Sequence, residues 1–321
     1  MPDLDRIMGE WFFTTSRTLL IGPTGVGKTN FSMAIAGRSA IGRNFLHWRA
    51  YRPSRILYID GEISARLFKQ RLADLVRRLG EIPTTLFPFS HEDIENFAPL
   101  NTAAGAAILN GLIDKVGGVD GIVFDNVMSL IAGDMKEEEG WRQTLPLVTS
   151  LTKRGIAQVW LDHTGHDETR GYGTKTREWR MDNVIHLTTV ERPDSDVSFR
   201  LEFRKARTRT PEMRRDFQDA TIALVNDEWT VDVTASVRRG HVSPLGEKFL
   251  DALHNALCGD TVQHYGRRAV TLELWKAECF KIGILDRDKP PKPTSALWSK
   301  YRLELIAANR IACDNTTAWI V

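Results

Sequence analysis

One short segment of the chain has the residue types that bind a nucleoside triphosphate. With the residue after it, the segment reads Gly22, Pro23, Thr24, Gly25, Val26, Gly27, Lys28, Thr29 and Asn30. Its glycines let backbone N–H groups turn towards phosphate oxygens, and a helix beginning at Lys28 would present its positive end to them. In this G-x-x-x-x-G-K-T pattern the lysine reaches the β- and γ-phosphates, and the threonine hydroxyl binds magnesium. We therefore expect ATP and Mg²⁺ as cofactors, although the pattern does not identify the residues that contact the base.

Acidic residues follow two other apolar runs. Asp125 ends the run that starts at Gly121, and an acid at the end of a parallel strand beside the phosphate loop can hold magnesium through water. Glu62 comes just after the run ending in Asp60, where a base could orient water for attack on the γ-phosphate. Asp60 is a second candidate in the same turn. The alternatives are a helix-capping role for Asp125 and a solvated acid at a helix start for Glu62.

Strand-like and helical patterns alternate through the first two-thirds of the chain. This alternation predicts an α/β domain with a mostly parallel sheet flanked by helices. The predicted strands are 18–21, 55–60, 121–125, 157–162, 183–188 and 198–203, with a closing hairpin of 221–225 and 229–233. The predicted helices are 28–37, 65–79, 102–116 and 145–153.

The pattern changes after residue 236. We predict an ATPase domain over residues 1–236, a linker over 237–244 and a small domain over 245–321. The last part has a helix around 249–257, a helix over 272–282, a proline-rich break at 289–293, a helix over 295–308 capped by Thr294 or Ser295, and a hairpin over 310–321. Three helices followed by a hairpin predict a winged-helix domain.

The C-terminal part is locally basic. Residues 266–310 contain ten basic and five acidic side chains. Lys300 and Arg302 lie in the third predicted helix, where they could contact the phosphates of duplex DNA. The alternative is a domain that serves protein contact or stability, with these cations on a solvated face.

In its first 235 residues the chain resembles the RecA-like ATPases, and it is most similar to the plasmid-type RepA hexameric replicative helicases and related AAA ATPases. The resemblance covers roughly residues 10–235 and lies in segment order. It implies that Glu62 is the catalytic glutamate and that His163 is a sensor of the γ-phosphate. The matching segments are 22–29, 42–46, 56–62, 122–125 and 161–166.

The resemblance also implies contacts with DNA and with a second subunit. The segment 170–177 would face a central channel and offer Arg170, Tyr172, Lys175 and Arg177 to single-stranded DNA. Lys205 and Arg207 would enter the ATP site of the neighbouring subunit, which makes the protein a homo-oligomer, as a hexamer. The alternatives are an ordinary solvated loop and a basic strand end.

Composition excludes several other classes of protein. The chain has 321 residues, of which 42% are hydrophobic and 26% charged, with a net charge of +2. Its three cysteines, Cys258, Cys279 and Cys313, form no CxxC pair, which argues against a structural zinc site. Because it has neither a secretory signal nor an apolar run of about 20 residues, we expect a soluble, cytoplasmic protein without a membrane partner. A first strand so near residue 1 also predicts no accessory N-terminal domain.

These features favour a DNA-dependent ATPase, an oligomeric helicase that acts in the replication of a plasmid or other mobile element. One alternative is a DNA-binding regulator or loader that ATP switches without unwinding. The other is a small-molecule P-loop kinase, which Lys205, Arg207 and the basic C-terminal part disfavour.

Overall fold

The structure is a computed structural model that describes residues 4–133, 141–164, 176–232, 242–259, 261–264, 267–286, 291–308, 310–314 and 316–320. The chain divides into two compact units, Met1–Ser236 and Val237–Val321. In the described ranges, no helix combines the length and apolar character needed to cross a membrane.

A nine-stranded sheet forms the centre of the N-terminal unit. A short hairpin, β1 (Arg6–Met8) and β2 (Phe12–Phe13), precedes it. The sheet strands are β3 (Arg17–Gly22), β4 (Ile56–Asp60), β5 (Leu86–Ser90), β6 (Gly121–Asp125), β7 (Ala157–His163), β8 (Asn183–Thr189), β9 (Ser198–Ala206), β10 (Ala220–Val225) and β11 (Glu228–Asp232). Their order is β11-β10-β9-β8-β3-β7-β6-β4-β5.

The sheet has two parts that differ in strand direction. Strands β3 to β8 pair with one another in parallel and form the parallel part. Strands β9 to β11 continue the sheet in antiparallel fashion and form the antiparallel part. The ends of β3, β4, β6 and β7 therefore lie together at one edge, called here the phosphate edge. The start of β8 and the end of β9 lie at the opposite edge.

Helices cover both faces of this sheet because its strands are apolar on both sides. One face packs against a core that includes Leu20, Phe31 and Phe68, and the other packs against a core that includes Leu19, Leu109 and Val148. This arrangement confirms the predicted α/β fold, a mostly parallel sheet flanked by helices. The helices are α1 (Lys28–Ile41), α2 (Ala65–Leu79), α3 (Ala103–Lys115), α4 (Val127–Leu130), α5 (Leu145–Lys153) and α6 (Thr176–Arg180).

Strand β5 was not predicted from the sequence. Its Pro88 cannot donate a backbone hydrogen bond, which argues against a central strand. Because β5 lies at the end of the sheet order, the missing donor costs nothing there. The order of the strands, which the local sequence does not encode, therefore decides whether this proline is tolerated.

The C-terminal unit combines helices with a small antiparallel sheet of order β12-β13-β15-β14. The predicted helices and final hairpin are present, whereas β12 and β13 were not predicted. The predicted break at 289–293 is wrong from residue 291 onward, as is the cap at Thr294 or Ser295, because α9 begins at Pro291 and the first helical turn does not need the N–H that proline lacks. Residues 289 and 290 lie outside the described residues. The elements are α7 (Pro244–Leu257), β12 (Val262–His264), β13 (Arg267–Thr271), α8 (Leu272–Lys281), α9 (Pro291–Ala307), β14 (Ile311–Cys313) and β15 (Thr317–Ile320).

Candidate functional site

The predicted phosphate loop connects β3 to α1. Gly25 and Gly27 have φ angles of 81° and 100°, in the left-handed region that favours glycine. A Cβ atom on Gly27 would also approach Cγ1 of Val197 to 2.5 Å. Among the described residues no side chain caps the start of α1, so the backbone N–H groups of its first turn can meet phosphate oxygens.

Lys28 is buried inside this loop. Its Nζ atom donates hydrogen bonds to the carbonyls of Gly22 at 2.7 Å and Pro23 at 2.8 Å. Burial lowers the pKa of Lys28 to about 8, and the nearby carboxylates of Asp125 and Glu62 oppose this shift. The side chain therefore remains mostly cationic at neutral pH, as phosphate binding requires.

Two of the acids predicted for the site are buried. Asp125 accepts a hydrogen bond from the Tyr58 hydroxyl at 2.7 Å. Burial raises the pKa of Asp125, while hydrogen bonds from Tyr58 and Thr29 lower it. Burial and the neighbouring Asp125 raise the pKa of Asp60 to about 7. One Asp60 oxygen, Oδ1, has no hydrogen-bond partner in the part of the chain that the structure describes.

These groups fit a magnesium ion that arrives with a triphosphate. Thr29 and Asp125 are in hydrogen-bond contact, so the two predicted metal ligands lie side by side. The described residues hold no cluster of three or more His, Cys, Asp or Glu side chains that would form a protein cage for a metal. Mg²⁺ needs no such cage, because it keeps several waters and uses one or two protein ligands plus phosphate oxygens. When bound, it would neutralise charge on the phosphates.

Glu62, Asn126 and His163 form a connected polar group beside the loop. The Asn126 amide nitrogen donates to Oε2 of Glu62 and lies 3.0 Å from Nε2 of His163. The Nδ1 atom of His163 lies 3.1 Å from Lys28 Nζ and 3.2 Å from the Thr24 hydroxyl. The side chain of Glu62 is 40% exposed, unlike that of Asp60, so Glu62 can meet a water molecule.

The protonation of His163 follows from these contacts. Burial, and then the charge of Lys28, lower the pKa of His163, so its ring is neutral at pH 7. Nδ1 of the His163 ring faces Lys28, while Nε2 lies 3.7 Å from the Glu62 carboxylate. The His163 imidazole therefore connects Lys28 in the phosphate loop to Glu62.

A cavity of about 220 Å³ adjoins the phosphate loop on the side of the β8–β9 connection. Its charged and hydroxyl side chains can form hydrogen bonds with a ribose or a base. Asn30, which was predicted to bind the nucleotide, instead lines a separate groove with Arg71 and Arg78 of α2. The cavity is lined by Gly25, Val26, Thr189, Val190, Glu191, Arg192, Ser195, Asp196 and Ser198.

Lys205 and Arg207 lie at the opposite edge of the sheet from the phosphate loop of their own chain. Ala206 pairs with Asn183, which pairs with Thr18, four residues before Gly22 on β3. That separation is about 13 Å along the strand direction. The structure therefore does not bring these two cations to the nucleotide site of their own subunit.

Of the four residues predicted to contact DNA in a channel, the structure describes one. Arg170, Tyr172 and Lys175 lie outside the described residues. Arg177 is only 2% exposed, and its guanidinium is paired with the buried Asp162. In this structure it is not available to a DNA phosphate, contrary to the exposed position that the prediction requires.

The two DNA candidates of the C-terminal unit also differ. Lys300 is exposed, with its Nζ atom 5.2 Å from the ring centre of Tyr301. Arg302 is half-buried, and its Nε atom is buried without a hydrogen-bond partner in the described ranges. Of the two, Lys300 is the side chain that can reach a phosphate freely.

Three residues of the site were missed by the sequence analysis. Asn126 directly follows the strand-ending Asp125, and Tyr58 lies two residues before Asp60 on the same strand. Asp162 directly precedes His163 on β7. A polar residue next to a predicted site residue at a strand end is the signal that would have found Asn126 and Asp162.

Comparison with known proteins gives one family match. A family model described as AAA domain matches residues 1–169. No curated protein matches the chain. The solved structure of a KaiC-like protein from the archaeon Pyrococcus horikoshii OT3 is 18% identical, with a TM-score of 0.46 and coverage of 69% of this chain and 91% of that one. The structure of the RadB recombinase is 15% identical, with a TM-score of 0.46 and coverage of 68% and 91%.

Proposed function

The chain belongs to this AAA-domain family of P-loop ATPases, and we propose that it is an ATP-hydrolysing, DNA-dependent motor. Its specific form is a hexameric DNA helicase of the RepA type, acting in the replication of a plasmid or other mobile element. Single-stranded DNA occupies the central channel, and the C-terminal unit, as a winged-helix domain, contacts duplex DNA.

The geometry of the phosphate edge supports hydrolysis. Lys28 binds the β- and γ-phosphates, and Thr29 and Asp125 hold Mg²⁺. Glu62 orients the attacking water, because it is the exposed carboxylate beside the loop. Asn126 fixes the Glu62 carboxylate, and His163 detects the γ-phosphate.

The observation that carries the oligomeric part of the proposal is the position of Lys205 and Arg207. Both cations lie at the edge opposite their own phosphate loop, and Arg207 is exposed. A second subunit that docks its phosphate edge there receives two positive charges at its γ-phosphate. Such charges stabilise the transition state of phosphoryl transfer.

The cavity beside Gly25 supports a binding site for the nucleoside part of ATP. We place the ribose and base of ATP between the phosphate loop and the β8–β9 connection. Glu191 and Asp196 provide acceptors there for the ribose hydroxyls and the exocyclic amino group of adenine. Removing an acceptor, as in Asp196→Ala, should weaken ATP binding more than phosphate binding.

DNA-dependent hydrolysis with strand displacement is the direct test. We expect single-stranded DNA to stimulate ATP hydrolysis several-fold and the protein to displace a strand from a forked duplex. Stimulation without displacement would favour the regulator or loader. The absence of both, together with a monomer in the presence of ATP and DNA, would favour the kinase.

Mixing two inactive variants tests the shared site. Glu62→Gln subunits lack the water-orienting acid but keep the two cations, whereas Arg207→Ala subunits have the reverse defect. A mixture should hydrolyse ATP, because some sites combine an intact Glu62 with an intact Arg207. If the mixture is no more active than either variant alone, the shared site is wrong.

A further inference from the structure

Three consecutive residues of α6 connect the two edges of the sheet. The Arg177 side chain runs to Asp162 on β7, and its Nη1 atom donates to Asp162 Oδ2. The backbone carbonyls of Glu178 and Trp179 instead accept hydrogen bonds from Lys205 at the end of β9. Because the three residues belong to one helical turn, their relative positions are fixed.

The ion pair between Arg177 and Asp162 is deeply buried, with side-chain exposures of 2% and 1%. Removing two charges from water is costly, and apolar residues in their place are often equally stable. Stability alone therefore does not account for the pair. The other Asp162 oxygen, Oδ1, accepts the backbone N–H of His163 at 2.9 Å. Arg177 thus fixes the carboxylate that fixes the backbone of the proposed γ-phosphate sensor.

At its other end, α6 holds the proposed trans-acting cations. Nζ of Lys205 lies 3.2 Å from the carbonyl oxygen of Trp179, and Nη2 of Arg207 lies 2.6 Å from the same oxygen. Nη1 of Arg207 also lies 3.4 Å from Asp182, which binds the side chain of Arg17 through two further hydrogen bonds. A shift of α6 therefore moves both cations together.

We propose that Arg177 is a positioning residue that couples the phosphate edge of one subunit to the cations that this subunit inserts into its neighbour's site. The proposal rests on the shared nucleotide site described under the proposed function. Contact of His163 with the γ-phosphate moves Asp162, Arg177 and α6 as one body, and with them Lys205 and Arg207. The nucleotide in one subunit thereby sets the rate of hydrolysis in the next, which is a coupling between two distinct sites.

Mixed oligomers test this coupling without interference from the local site. Arg207→Ala subunits provide an intact phosphate edge. Glu62→Gln subunits provide the cations, and a subunit with this role is called here the donor. In a second donor, Glu62→Gln is combined with Asp162→Asn and Arg177→Met, which removes both members of the buried pair. We expect this donor to restore ATP hydrolysis at least about fivefold less than the Glu62→Gln donor.

Damage confined to the phosphate edge predicts a different result. The phosphate edge of the donor is already inactive, so damage confined to it does not change the measured rate. A matched donor that carries Glu62→Gln and Arg154→Met removes an exposed arginine and should restore hydrolysis fully. Equal restoration by the donors with and without the buried pair would overturn the coupling alone. If the Glu62→Gln donor itself restores nothing, the shared site fails first.

Folding of the altered donor is checked by its melting temperature and by its assembly with ATP. If that donor does not assemble, a donor with Glu62→Gln and Arg177→Lys decides the question. The lysine keeps the charge opposite Asp162 but is shorter and lacks the planar fork of arginine. Restoration at least about threefold below that of the Glu62→Gln donor supports the coupling, and equal restoration overturns it.

Discussion

The parallel and antiparallel parts of the sheet hold their charged groups in different ways. At the phosphate edge of the parallel part, Lys28, Asp60 and Asp125 are buried, and burial shifts the pKa of each one. At the end of the antiparallel strand β9, Lys205 and Arg207 are more exposed and are held by backbone carbonyls. Electrostatic interactions of buried charges are stronger because the local dielectric is low, which suits the binding of a triphosphate. Exposed cations can instead contact another subunit.

The largest effect expected from this comparison concerns the two acids after β4. Glu62→Gln should lower kcat for ATP hydrolysis about 100- to 10,000-fold, because it removes the base that orients water. Asp60→Asn should lower kcat less than about tenfold, because the buried Asp60 does not meet that water. Steady-state hydrolysis and titration with a fluorescent ATP analogue separate kcat from nucleotide affinity.

Nucleotide affinity serves as the control for this pair. Both variants should bind the analogue with nearly unchanged affinity, since neither acid is expected to contact the phosphates. A loss of hydrolysis in Asp60→Asn equal to that in Glu62→Gln would contradict the assignment. The base would then be a buried group, and exposure would no longer distinguish the roles of the charged residues.

Local pattern was sufficient to predict the phosphate loop, Asp125 and Glu62. Each lies at the end of an apolar run or within two residues of it, so the strand pattern alone brings it to the phosphate edge. The pairing of Arg177 with Asp162 could not be predicted in this way. Arg177 belongs to a glycine-rich and basic segment that resembles a solvated loop, and its burial depends on how α6 packs on the finished sheet. The same holds for Pro88, whose tolerance depends on the order of the strands.

Strand β8 of the parallel part pairs with β9 of the antiparallel part, and a buried histidine lies in β8. His186 is 1% exposed, and neither ring nitrogen has a hydrogen-bond partner among the described residues. Burial, and then the charge of Arg204, lower the pKa of His186 to about 4. The unfolded chain, with a histidine pKa of about 6.5, therefore binds the proton more readily. Stability is lost as the pH falls from about 6.5 towards 4.

Replacing this histidine should reduce the pH dependence of stability. Between pH 7 and pH 5, His186 alone accounts for a loss of about 2 kcal/mol in the free energy of unfolding. In His186→Leu that loss should shrink by about the same amount, which urea unfolding at the two pH values measures. An unchanged loss would mean that the ring is not held neutral where the two parts of the sheet meet.

The smallest expected effect extends the comparison to the C-terminal unit. If exposed cations are the ones that meet partners, Lys300 on α9 contacts DNA and the half-buried Arg302 does not. Lys300→Ala should then weaken binding to duplex DNA about two- to fivefold and reduce the slope of log affinity against log salt by about one.

Lys281→Ala is the matched control for this change. Lys281 on α8 has a side chain that is 75% exposed, but it is paired with Glu278 at 3.1 Å. Its removal should leave both the affinity and the salt slope nearly unchanged, because its charge is already balanced within the helix. An equal loss of DNA affinity in the two variants would show that binding depends on net charge and not on a contact made by Lys300. The exposure of a lysine would then not be enough to identify a DNA contact. The comparison between buried and exposed charges would hold only for the N-terminal unit.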